Sequence, residues 1–140
     1  MACTSTNDAV SDDAWIKIES VGRQDKPLPT ILISTQELQL PASGFNKILV
    51  LDTATYLSVG NIVDAISCRN YGHDVQEFGT LLVTRVAKRE VAKQCTISAD
   101  RSCEFVSAIN EVIVRNSHRE SPEPLSNLSA RLGCGNPPTD

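Results

Sequence analysis

Apolar and polar residues alternate through much of the first two thirds of the chain, and that alternation predicts strands. "WIKIESV" (15–21) sets Ile16 and Ile18 on one side and Trp15, Lys17 and Glu19 on the other, the period-two signature of a strand. "TILIST" (30–35) and "NKILVLDTA" (46–54) are apolar and β-branched and predict two more. Pro41 and Gly44 in the intervening "QLPASGFN" mark a loop. The alternation breaks at "VGNIVDAISCRNYG". There Ile62, Val63, Ile66 and Cys68 follow helical spacing, with Ser58 placed to cap the start and Gly72 to end it. Strand character returns in "DVQEFG" and in "TLLVTRVAKREVAKQCTIS", which reads as one long hairpin turning at "AKRE".

A second helix is predicted over "ADRSCEFVSAINEVIVRNS". Phe105, Ile109 and Val112 share a stripe flanked by Val106 and Ile113; Asp100 lies near the positive end of the helix dipole, Arg115 and His118 near the negative end. The first fourteen residues are small, polar and acidic and read as a flexible arm. Beyond residue 117, Pro122, Pro124, Pro137 and Pro138 predict an irregular tail with at most a turn of helix around "LSNLSARLG". The folded unit is then a single globular domain over 15–117. Its class is β-rich α+β, with five to seven strands and two helices.

Composition narrows this picture. Aromatic residues are only 4% of the 140, so the core must be built from Ile, Leu and Val, an inventory that suits strands. The five cysteines (3, 68, 95, 103 and 134) form no CxxC or Cys/His spacing, and the opening "MACTSTNDAVSDDAW" lacks the basic start and apolar run of an export signal. These features lead to the expectation of free thiols, each a small buried hydrophobe, in a reducing compartment. The longest apolar run, near "ILVL", is far too short to span a bilayer.

Candidate chemistry is sparse. The seven glycines are scattered singly, so no phosphate loop is present, and neither His73 nor His118 has a ligand partner at metal spacing. Cys68 with His73 is the one nucleophile–base pair the sequence offers, and His73 reads better as a loop residue after a helix. The expectation is a protein without enzymatic activity, cofactor or metal. Charge is more informative. The net charge is −4, yet "LLVTRVAKREVAKQ" (81–94) gathers Arg85, Lys88, Arg89 and Lys93 around a single acid, Glu90. Such a cluster is either a solvated edge that discourages aggregation or a surface for phosphates, from lipid headgroups or RNA. Each cation near an anionic surface contributes about 1 kcal/mol, so one copy is marginal and an oligomer suffices through avidity.

The order of elements resembles the small matrix proteins of negative-strand RNA viruses, in particular those of bornaviruses and nyamiviruses. The resemblance rests on "WIKIESVG" followed by "TILIST", on "QELQLPASGFNKILVLD", and on the late helix "CEFVSAINEVIVRN" leading into a Gly/Pro-rich tail. It covers about residues 15 to 120. It implies an antiparallel β-sandwich like the N-terminal domain of filovirus matrix proteins. It also implies a homo-oligomer, often a tetramer, that lines the inner face of the envelope, binds RNA or nucleoprotein, and drives assembly and budding. The acidic net charge departs from the basic character common in that group and throws the weight onto the local patch; no PPxY or PTAP-type sequence is present.

A second resemblance is to small sulfur-carrier proteins, through "KPLP" at 26–29 and Gly72-His73. Lys26 stands where the persulfide-bearing cysteine belongs, so that chemistry is lacking. An adaptor role for the tail rests only on "SPEP", which is short.

Overall fold

The computed structural model describes residues 14–22, 28, 30–36, 46–70, 78–117 and 122–134. Its strands are β1 (Ala14–Ser20), β2 (Thr30–Ser34), β3 (Asn46–Val50), β4 (Arg69–Asn70), β5 (Leu81–Ala87) and β6 (Glu90–Ile97). Among the described residues three helices accompany them: α1 (Thr53–Ala65) between β3 and β4, then α2 (Ala99–Ser117) and α3 (Glu123–Arg131) after β6. All six strands belong to one sheet of order β3-β2-β1-β5-β6-β4, in which β4 contributes only two residues. The β2–β3 pair is parallel and the other pairs are antiparallel.

The α+β class therefore stands, but the expected antiparallel sandwich is corrected to a single open, mixed sheet with three helices. Register explains why. Ile16 pairs with Ile33, Ile18 with both Ile31 and Val83, and Leu81 with Ile97, so one face carries an unbroken aliphatic row. That row forms one core with Tyr56, Val59 and Val63 of α1, Phe105, Val106, Ile109 and Ile113 of α2, and Leu125 and Leu128 of α3. Amphipathic helices cover the face that a second sheet covers in a sandwich. The opposite face buries Leu32, Leu82 and Val86 among Thr84 and Thr96.

Three boundaries differ from the sequence reading. The first helix ends at Ala65, where Ile66 takes extended backbone, instead of running on to Gly72, and Arg69–Asn70 of the expected helix form β4. α1 starts five residues before the expected cap, because Asp52 rather than Ser58 is its N-cap. The Asp52 carboxylate accepts from the Thr55 backbone N–H (2.8 Å) and hydroxyl (2.9 Å), and those bonds, the backbone one foremost, hold its pKa below the usual 3.8. Ser58 sits inside the helix and donates to the Ala54 carbonyl at 3.1 Å, a local bond that leaves no capping role. At the other end of the chain, α3 is two and a half turns rather than one, and Leu125 and Leu128 bring it into the same core. The folded unit thus extends past residue 117. Gly72 and "DVQE" (74–77) lie outside the described residues, as do His118 and residues 1–13 of the expected arm, whose last residue, Ala14, opens β1.

The expectation of free thiols is also corrected. Cys68 is bonded to Cys95, joining the segment after α1 to β6, and Cys103 is bonded to Cys134, joining α2 to the chain just after α3. The Cα–Cα distances of 5.8 and 5.4 Å suit such bridges. Cysteines far apart in sequence give no hint of pairing until the sheet and helices bring them together.

Candidate functional site

The long hairpin is formed as its alternation predicts, by β5 and β6 joined through Lys88 and Arg89. Ala87 pairs with Glu90, so the loop has two residues, and both have positive φ, 55° and 67°. That is the turn class whose twist matches a hairpin, and it favours Asn-Gly because ordinary side chains are strained there. A left-handed backbone costs a residue with a β-carbon about 1–2 kcal/mol. Both turn cations are exposed. Next to them Val91, paired with the buried Val86, is 59% exposed. The ladder then jumps from Val86–Val91 to Arg85–Lys93, leaving Ala92 as a bulge.

Arg85 and Lys93, the other two cations of the cluster, are half-buried cross-strand partners on the helix-covered face and reach α1. The Arg85 guanidinium lies against Gly60, close enough that a methyl group there would sit 3.4 Å from its terminal nitrogen. Its Nε is 3.2 Å from Asp64 Oδ1, an ion pair that is buried on the arginine side but not aligned as a hydrogen bond. The Tyr56 hydroxyl is buried nearby without a hydrogen-bond partner. Burial pushes its pKa above the usual 10.0; the Arg85 charge pulls it back and the Asp64 charge adds to the rise.

Lys93 completes this root. Its Nζ donates to the Ile66 carbonyl at 2.8 Å and to the Asp64 carbonyl at 3.2 Å. α1 has no basic residue in its own last turn, so a cation borrowed from β6 satisfies its terminal carbonyls and offsets its negative end. Arg101 of α2 extends the arrangement by donating to the Ser67 carbonyl.

The four-residue cluster is thus two pairs with different surroundings. Tyr56, Gly60 and Asp64 belong to the inner pair and went unmarked in the sequence. An interior glycine in a helix, and a helix end without its own cation, were the available signals. As for the other candidates, the Cys68 sulfur is held in a disulfide and is not a thiolate, while His73 lies outside the described residues. Among the described residues no group of three or more His, Cys, Asp or Glu could hold a metal ion, and no helix is long and apolar enough to cross a membrane. Compared with known families, curated proteins and solved structures, the chain matches none.

Proposed function

We propose that this chain is a structural, self-assembling protein of the matrix type, which meets anionic surfaces through the tip of the β5–β6 hairpin. The observation that carries this reading is the identity of the turn residues. Two cations occupy backbone positions where Asn-Gly is more stable, and such strain persists when the side chains serve a purpose beyond the fold. Lys88 and Arg89 contact phosphates, and the exposed Val91 adds an apolar contact at the same end. Arg85 and Lys93 support the tip rather than touch the surface. Lipid headgroups are the favoured source of phosphate, because an exposed aliphatic residue beside two cations suits an interface that is both charged and apolar. RNA or nucleoprotein is the alternative anionic partner. The disulfides fit a particle that works in an oxidising setting after release.

The test is flotation of the full chain with vesicles of phosphatidylserine and phosphatidylcholine at low and physiological salt, alongside light scattering in solution. Salt-sensitive flotation and a discrete oligomer are expected. A strict monomer that ignores anionic vesicles even at low salt would end this reading; binding to single-stranded RNA but not to vesicles would transfer the tip to a nucleic-acid partner.

A further inference from the structure

The two edges of the sheet are finished differently. At one edge, β6 carries the Ala92 bulge, the charges of Glu90 and Lys93, and the short β4 against Cys95 and Thr96. Bulges, charges and very short strands are the usual devices that stop a sheet from recruiting another strand. At the other edge, β3 (Asn46–Val50) pairs with β2 in unbroken parallel register and, among the described residues, has no strand on its far side. It contains no proline and one charge, Lys47, and its last residue, Val50, is 49% exposed.

Backbone direction shows what this edge offers. The Leu51 N–H donates to the Ser34 carbonyl of β2 at 2.8 Å. Along a strand the N–H and C=O of successive residues point to alternate sides, so Lys47, Leu49 and Leu51 face β2. Asn46, Ile48 and Val50 turn their N–H and C=O groups outward. Those three positions are self-complementary. In an antiparallel pair of two copies with Ile48 on the two-fold axis, Ile48 meets Ile48 and Asn46 meets Val50, each as a hydrogen-bonded pair. Lys47 then falls opposite Leu49, so no like charges oppose each other.

We infer that β3 is a homodimer edge. Two copies join antiparallel through Asn46, Ile48 and Val50, and the two sheets become one. This inference rests on the self-assembling reading above and names the surface that performs it. The contact is isologous, as a two-fold interface must be. Five residues of edge bury little area, so the dimer is weak and concentration-dependent.

The test compares molar mass by light scattering up to about 1 mM, a range that reaches weak edge contacts. The wild type is expected to shift from monomer to dimer with concentration. Ile48→Lys and Ile48→Glu place like charges face to face across the axis, so each alone is expected to remain monomeric, while their equimolar mixture recovers the dimer. Val50→Pro, which removes one outward N–H without touching the bonds to β2, is expected to weaken dimerisation independently. In the wild type, the Ile48 and Val50 amides should exchange more slowly at high concentration than at low. Charge variants that stay dimeric alone, a mixture that stays monomeric, or exchange at those amides that ignores concentration each overturn the edge assignment while leaving hairpin binding intact. A wild type monomeric throughout overturns the assignment and the self-assembly reading together. Lys88→Asn with Arg89→Gly should lose vesicle binding and keep the dimer, which separates the two surfaces.

Discussion

The root and the tip of one hairpin hold the same kinds of side chain, an arginine and a lysine each, in opposite roles. At the root, Arg85 and Lys93 are spent on α1: one packs on Gly60 and pairs with Asp64, the other binds the last carbonyls of the helix. At the tip, Lys88 and Arg89 sit exposed on a strained turn. The difference comes from distance to the helix layer, since a strand residue that points at a helix end lacking cations is drawn into capping it. Charge clustering in sequence therefore says little about charge clustering on a surface.

The contrast can be tested by exchanging what each pair loses. If the tip meets anionic lipid as proposed, replacing Lys88 by Asn and Arg89 by Gly removes two contacts of about 1 kcal/mol each, which predicts roughly 30-fold weaker vesicle binding per chain. The same double variant should be more stable by about 1 kcal/mol, read in urea unfolding, because it relieves the left-handed strain. Loss of stability there would break the distinction between tip and root. Arg85→Ala should behave the other way, costing about 2 kcal/mol of stability with vesicle binding of the folded protein unchanged. It should also raise the Tyr56 pKa further, since the arginine charge is the influence holding it down. Tyrosine ultraviolet absorbance during alkaline titration reads this. The sign for stability follows. A phenol whose folded pKa is raised supports the fold fully below 10.0 and loses that support as pH climbs through the folded value.

Lys93→Ala should cost about 1 kcal/mol, since it leaves two half-solvated carbonyls at the end of α1 to water. Gly60→Ala has the smallest expected effect, a gain of about 0.5 kcal/mol from helix propensity, because the side-chain atoms nearest the new methyl among the described residues belong to the guanidinium of Arg85. A marked loss in thermal unfolding would instead mean that the guanidinium is wedged in place.

Much of this fold is written in local pattern, and the remainder is not. The hairpin, its turn and α2 follow from alternation and from the Phe105–Ile109 stripe. The start of α1 was hidden by chemistry that serves two ends: Thr53 and Thr55 favour strands by shape, but behind Asp52 they open a helix. The parallel pairing of β2 with β3 depends on how the connection between them crosses, which periodicity does not encode. The disulfide partners lie 27 and 31 residues apart and meet only in the folded chain. Within the candidate site, the turn cations were legible because hairpin length fixes them. The roles of Arg85 and Lys93 were not, because alternation tells which face a side chain takes and not what waits there.

Four of the five residues from 64 to 68, at the end of α1 and just beyond it, are fastened to other elements. Lys93 grips the carbonyls of Asp64 and Ile66, Arg101 grips that of Ser67, and Cys68 is covalently joined to β6. In mechanical terms this is a riveted seam at the foot of the hairpin. A tug on the tip would load this seam and, through it, α1 and α2. A chain held by its tip to a curving surface would resist as a stiff lever, so curvature of that surface would be felt by the sheet as a whole.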